Sequence, residues 1–267
     1  MKYKAVVFDW AGTMVDFGSF APMGAFVEAF SKFGVRISTD QARGPMGMAK
    51  RDHIAAILSM PDVFEKFRGA QGREPAEGDI TAIYDVFVPL NEKVAGKFAD
   101  LVPGASEMVA ELRRRGMKIG STTGYTRSIM QYVLPVAAGQ GYQPDNLVCS
   151  DEVAKGRPAP DAMLRCFEEL GIADPSTVIK VDDTEPGIGE GKNAGCLAVG
   201  VTLSGNFAGK TSHEIGQMDE LEINAIRMAA GEKLLSAGAD HVIDTVAKLP
   251  ALIDHLERQL RNGQLDK

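Results

Sequence analysis

The sequence is short of several things that would announce a function. It has three cysteines, Cys149, Cys166 and Cys196, an odd number with no C-x-x-C pair. That speaks against a disulfide framework and suits reduced thiols. Of its four histidines, His213, His241 and His255 stand at no metal-ligand spacing and read as structural or exposed. No apolar run reaches the roughly 18 residues that a membrane span requires. The N-terminus enters an apolar, strand-like run almost at once, without a basic-then-apolar leader, so the expected location is the cytoplasm. Positive charge is in deficit, 29 Lys and Arg against 36 Asp and Glu, and the net charge of −7 argues against a general nucleic-acid surface. There is no internal repeat and no low-complexity tract. The one tryptophan, Trp10, suits either core packing or the entrance of a site, and the twelve methionines read as adaptable core filling.

What remains is an ordinary globular composition, 45% hydrophobic and 24% charged over 267 residues. That length supports a full core, as one domain with an insertion or as two domains. Lys4 to Asp16, KAVVFDWAGTMVD, opens with an apolar run (Ala5 to Phe8) of the kind that forms a strand buried on both faces. Asp9 ends that run, and Gly12 and Thr13 then force a turn. Asp9 alone suits a turn cap as well as a carboxylate at the active edge of an open sheet.

From 20 to 100 the pattern is helical, with no strong strand signal. Ala25, Phe26, Ala29, Phe30 and Phe33 repeat at helical spacing before Gly34, a second helix is expected from Met46 or Gly47 to Leu58, and weaker patterns cover 62–68 and 79–98. Strand and helix then alternate. Strands are expected at 118–121, 146–149, 177–181, 197–201 and 241–243, and helices at 105–115, 126–138, 160–170, 186–194, about 215–237 and 249–260. This rhythm predicts an α/β fold with a parallel sheet covered on both faces: a catalytic core of 1–19 and 101–267, interrupted by a helical insertion at 20–100.

Four sequence-distant groups fall at strand C-termini: Asp9, Thr123 with Gly124, Arg157, and Asp182 with Asp183. Two carboxylates from different strands can share a hard cation such as Mg²⁺ through oxygen. A hydroxyl and backbone N–H groups can receive phosphate oxygens, and an arginine adds charge against a phosphoryl group.

In this order the groups resemble the haloacid dehalogenase superfamily: Asp-x-x-Gly-Thr after the first strand, Thr after the second, a basic residue after the third and Asp-Asp at the fourth. The resemblance implies a Rossmann-like parallel sheet with a helical cap domain, an aspartyl-phosphate intermediate on Asp9, and Mg²⁺. One departure is informative. The superfamily's phosphatases carry an acid–base Asp two residues after the nucleophile, and here that position is Ala11. Cleavage of a P–O ester would lose roughly 10²–10⁴-fold without positioned acid–base catalysis.

Met46, Lys50, His53, Ile54 and Ile57 fall on one helical face. Lys50 therefore stands with apolar residues, either snorkelling outward or held as a neutral amine for Schiff-base chemistry. The segments FDWAGTMVD (8–16), PMGMAKRDH (45–53), STTGYTR (121–127), GRPAP (156–160), KVDDT (180–184) and EGKNAG (190–195) closely resemble the phosphonoacetaldehyde hydrolase, or phosphonatase, family. That likeness implies cleavage of a P–C bond to give acetaldehyde and phosphate, with Asp9 as nucleophile and Lys50 as the imine-forming residue. It implies Mg²⁺ ligands at Asp9, the Ala11 carbonyl and Asp183. It places Thr123, Gly124 and Arg157 toward phosphate, has Met46 and His53 accompany Lys50, and expects a homodimer joined through the caps. The superfamily's further acidic residue after the fourth strand falls at Gly187, so support for the metal is expected from Asp182 or Glu185 instead. Tyr125 is a further candidate to face substrate. A phosphatase acting on a small phosphate ester is the alternative reading, and a non-catalytic phosphoryl-binding module a third.

Overall fold

The computed structural model describes residues 1–263. Six parallel strands form one sheet: β1 (Ala5–Phe8), β2 (Lys118–Thr123), β3 (Val148–Cys149), β4 (Val178–Asp182), β5 (Leu197–Val201) and β6 (His241–Ile243). Their spatial order is β3-β2-β1-β4-β5-β6, so β1 is central, pairing Val7 with Gly120 on one side and with Lys180 on the other. Successive side chains of β1 serve opposite faces. Val6 and Phe8 enter one buried cluster with Met108 and Ile253, while Ala5 and Val7 enter another with Met163 and Phe167. The helices α6 (Ala105–Arg114), α7 (Arg127–Gly139), α8 (Asp161–Leu170), α9 (Glu185–Asn193) and α12 (Leu249–Arg261) supply those covering layers. This is the α/β architecture expected from the alternating pattern. Among the described residues, no helix is long and apolar enough to cross a membrane.

Between β1 and β2 the chain leaves the sheet and forms five helices in succession: α1 (Ala21–Ser31), α2 (Thr39–Arg43), α3 (Lys50–Leu58), α4 (Pro61–Gln71) and α5 (Glu77–Ala95). The outgoing and returning segments run side by side, since Val15 and Leu101 form an antiparallel bridge and Val102 N–H donates to the Met14 carbonyl at 2.9 Å. On the outgoing side, Asp16 and Ser19 both have φ of 55°, and the Asp16 carboxylate accepts the backbone N–H groups of Phe20 (3.0 Å) and Ala21 (2.8 Å). It thereby satisfies donors at the start of α1.

Three local expectations are corrected. The helix expected from Met46 or Gly47 begins at Lys50, because Gly47 takes a φ of 92° that helix does not allow. The long helix expected at 215–237 is two, α10 (Ser212–Gln217) and α11 (Glu220–Ser236), because Asp219 leaves helical geometry to cap the second with Glu222. The strand expected at 146–149 is reduced to Val148–Cys149; Asn146 instead turns its amide toward Cys166 and Glu169. The helix α2 was not expected, although Ser38 and Gln41 form a capping box that the sequence spells out.

Candidate active site

The carboxyl ends of β1, β2 and β4 meet beneath the inserted helices, as the switch in strand order at β1 predicts for a ligand site. Between sheet and insertion lies a small cavity of about 20 Å³, lined by Asp9, Ala11, Thr123, Gly124 and Arg157 from below and by Met46, Gly47 and Lys50 from above. Tyr125, Ser19, Pro22 and Thr184 complete its wall. The two sides touch. A Cβ on Gly124 would stand 2.8 Å from the Met48 carbonyl, and one on Gly47 would run into the Thr184 hydroxyl.

Asp9 is buried, and its Oδ1 accepts a hydrogen bond from Arg157 Nη1 at 2.8 Å. Burial pushes its carboxyl up to about 6, with the neighbouring Asp182 adding to the rise and Arg157 and Lys180 opposing it. Asp183 is also buried: its Oδ1 accepts from the Thr13 hydroxyl (2.8 Å) and its Oδ2 from the Asn206 backbone N–H (2.7 Å). Desolvation first, then Asp9 and Asp182, raise it well above the ordinary carboxylate range. Gly12 is required beside it, since its φ of 86° is left-handed and any Cβ there would collide with the Asp183 carboxylate. Asp9, Asp182 and Asp183 each offer an oxygen within 4.8 Å of the others.

The three carboxylates are not equivalent. Asp182 Oδ1 accepts from Thr184 N–H at 3.0 Å and from its hydroxyl, while Oδ2 faces Lys180 Nζ at 3.2 Å and Arg157 at 3.3 Å. Burial disfavours its charge, but Arg157 and Lys180 hold its carboxyl below the usual range. Asp182 is therefore neutralised by Lys180 and Arg157, whereas Asp9 only shares Arg157 with it, and Asp183, repelled by Asp9, is held by the neutral donors of Thr13 and Asn206. That pair fits a divalent cation bound through hard oxygen donors. The question left at Gly187 has a geometric answer: a Cβ there would fall on the Asp182 carboxylate, so Asp182 occupies the space of a side chain at 187. Glu185 is exposed and does not reach the site.

Sequence patterns missed Glu190. It is fully buried, 3.0 Å from Arg157 Nε and 2.9 Å from Lys180 Nζ, and with Thr122 it fixes both cations under Asp9. The segment EGKNAG carried the resemblance, but nothing in it gave Glu190, on the inner face of α9 beside Lys180 of β4, a role. Ser19 was also missed; its hydroxyl is buried without a partner, and the residue lines the cavity.

Lys50 is 3% exposed. Its Nζ lies 4.0 Å from Met46 Sδ, 5.0 Å from the Tyr125 ring centre and 5.7 Å from that of Phe26. Burial among these groups lowers its amine from 10.5 to about 8, against the pull of Asp9 and with a small push from Arg157. Met46 thus accompanies Lys50 from the segment before α3, not from the same helical face. His53 stands behind the cavity wall: its ring stacks on Phe26 at 4.1 Å and its Nε2 donates to the Ala42 carbonyl at 2.8 Å. Burial and then the Lys50 charge push it down to about 3, so it is a neutral support beneath Lys50. Trp10 is core, packed on Tyr142 and donating its indole N–H to Ser121.

Comparison with known proteins shows the family. Residues 3–195 match the family of haloacid dehalogenase-like hydrolases. The whole chain is similar to a phosphonoacetaldehyde hydrolase of Paraburkholderia phytofirmans, 49% identical over 99% of both chains. A Bordetella pertussis protein of the same name is 46% identical over 99% of this chain and 96% of that one. Among solved structures, a phosphonoacetaldehyde hydrolase-like protein from Oleispira antarctica superposes with a TM-score of 0.96 at 37% identity, covering 100% of this chain and 96% of the other.

Proposed function

This chain belongs to the haloacid dehalogenase-like hydrolases, and from that premise we propose that it hydrolyses phosphonoacetaldehyde to acetaldehyde and phosphate. The observation that carries the reading is one cavity holding a buried, deprotonatable Lys50 above the carboxylate of Asp9, with only a methyl group at Ala11. A phosphate ester needs an acid for its leaving oxygen, and none stands at Ala11. A phosphonate with an aldehyde one carbon away needs an electron sink, and an amine supplies it.

Lys50 Nζ adds to the aldehyde carbon and water leaves, giving a protonated imine. An Asp9 carboxylate oxygen attacks phosphorus, the P–C bond breaks, and its electron pair enters the imine to form an enamine. Protonation at carbon and hydrolysis release acetaldehyde and free Lys50, and water cleaves the aspartyl phosphate. Arg157 orients Asp9 through Oδ1 and places positive charge at the phosphoryl group. Thr123 and Gly124 close the phosphate side. Asp9, Asp183 and the Ala11 carbonyl would hold Mg²⁺, which offsets the negative charge gathered where carboxylate and phosphonate meet.

The inserted helices act in this reading as a cap, residues 20–100, over a core of 1–19 and 101–267, and exclude water from the imine. A shallow groove on the cap, lined by Phe20, Ala21, Gly24, Ala25, Leu90 and the 38%-exposed Phe98, suits the helix packing of a homodimer. Light scattering on the eluting protein should give twice the chain mass, and Gly24→Glu, at an exposed position with open space above it, should halve it. The substrate assignment rests on one comparison: acetaldehyde and phosphate released together from phosphonoacetaldehyde, against phosphate from a simple phosphomonoester. Faster turnover of the ester would replace this reading with the phosphatase alternative.

A further inference from the structure

Arg43 ends α2, and none of the chemistry above uses it. Its guanidinium leaves the inserted helices and reaches two other parts of the molecule. Nη1 donates to the Gly18 carbonyl in the outgoing crossing (2.8 Å), and to the Asn206 carbonyl (2.9 Å) and Oδ1 (3.1 Å) in the loop after β5. Asn206 Nδ2 returns a bond to the Arg43 carbonyl at 3.3 Å, and the guanidinium lies over the Phe20 ring, 5.4 Å from its centre. Asn206 is only 2% exposed, and it is the residue whose backbone N–H holds Asp183 Oδ2 at 2.7 Å. The loop lies close on both neighbours: a Cβ on Gly205 would stand 2.6 Å from Asp183 Cβ, and one on Gly209 would stand 3.3 Å from the Arg43 guanidinium. One turn of loop is thus pressed between a cap arginine and a core carboxylate.

We propose that Arg43 is a positioning residue that latches the inserted helices onto the core and, through Asn206, fixes Asp183, so that closure of the site and readiness of its cation-binding carboxylate are coupled. Opening the insertion would strip the guanidinium of Gly18 and Asn206 together, a costly exchange for hydrogen bonds made by a charged group. It would also release the loop that orients Asp183. The coupling is reciprocal: whatever favours the closed arrangement must tighten the cation, and the cation must favour closure, by the same factor. The inference rests on the reading of Asp183 as a Mg²⁺ ligand but not on the identity of the substrate.

The test uses Arg43→Ala, Arg43→Lys, Asn206→Ala and the double alanine variant, with folding checked by circular dichroism. Mg²⁺ binding to the metal-stripped protein is measured calorimetrically without substrate, and KM and kcat for phosphonoacetaldehyde separately. Arg43→Ala should weaken Mg²⁺ binding and raise KM, each within the roughly 5–150-fold range of site-to-site coupling. Asn206→Ala should lose Mg²⁺ affinity similarly, the double variant should be no weaker than Asn206→Ala alone, and Arg43→Lys should recover part of the loss. Unchanged Mg²⁺ affinity in Arg43→Ala, whatever happens to KM, overturns the coupling, as do losses that add in the double variant. Should Arg43→Ala fail to fold, Arg43→Lys paired with Asn206→Ala distinguishes the same outcomes. A wild-type protein inert toward phosphonoacetaldehyde would remove the substrate assignment while leaving the calorimetric arm intact.

Discussion

The proposed reaction sets opposite requirements on two residues of one small cavity: in it Lys50 must be neutral to condense, and Asp9 must be charged to attack. Burial depresses the Lys50 amine to about 8 and lifts the Asp9 carboxyl to about 6, so between these values Asp9 is charged while a growing minority of Lys50 is neutral, and both conditions hold for most molecules above about 8. At pH 7.5 about a quarter of a lysine with that value is neutral, against about one part in a thousand for an unperturbed one. Imine formation should accordingly rise as pH climbs through about 8 and level off beyond it. Borohydride added during turnover should inactivate the enzyme and leave a reduced two-carbon adduct on the peptide containing Lys50. Lys50→Arg keeps the charge but cannot condense, and should lose at least about a thousandfold in kcat, the scale on which one member of a cooperating pair acts. Asp9→Ala should still trap the adduct, because condensation precedes attack on phosphorus. Normal acetaldehyde release by Lys50→Arg would leave the P–C reading without a mechanism.

At the scale of elements, the approach of α3 to β4 is set by Gly47, which has a φ of 92° and sits against Thr184, the residue that caps α9 and bonds Asp182. Gly47→Ala adds a backbone penalty of about 1 kcal/mol and a methyl group directed at Thr184. The inserted helices should then close less completely, raising KM and lowering kcat together while the melting temperature falls by only a few degrees; a variant with unchanged kinetics would show that this contact does not govern closure. Such contacts explain what the sequence did and did not disclose. The strands, the insertion and the groups at strand ends were legible because apolar runs, glycine stops and Asp-x-x-Gly-Thr are local patterns. The roles of Glu190, Ser19 and Arg43 were not, because they depend on the folded arrangement and on no local pattern: Glu190 meets Arg157 and Lys180 across strands, Ser19 lines the cavity, and Arg43 reaches Asn206. The start of α3 was misplaced for the same reason, since Gly47 answers to Thr184 and not to helical periodicity.

For the whole molecule, the site and the supporting histidine make stability depend on pH in opposing ways. In the metal-free protein the Asp9 carboxyl is raised from 3.8 to about 6, so the folded state binds its proton more tightly than the unfolded chain. That contribution is fully present below about 4 and is lost as pH rises through about 6. Asp183, raised by burial and by Asp9, acts in the same direction. His53 is lowered from 6.5 to about 3, so its contribution is present above 6.5 and is lost as pH falls toward 3. In the proposed site Mg²⁺ would bind the folded protein and displace those carboxyl protons, so its stabilisation should grow with pH. At a hundred times its dissociation constant the gain is about 2.7 kcal/mol, enough to raise the melting temperature of a chain this long by roughly 5–10 °C. Melts with Mg²⁺ and with EDTA should therefore nearly converge at pH 5 and separate widely at pH 8. The Mg²⁺-loaded protein should lose stability steadily below pH 6.5, because His53 must charge and Asp9 and Asp183 take back the protons that the cation displaced. An increment from Mg²⁺ that is the same at both pH values would mean that Asp9 and Asp183 are not the groups that give up their protons to the cation.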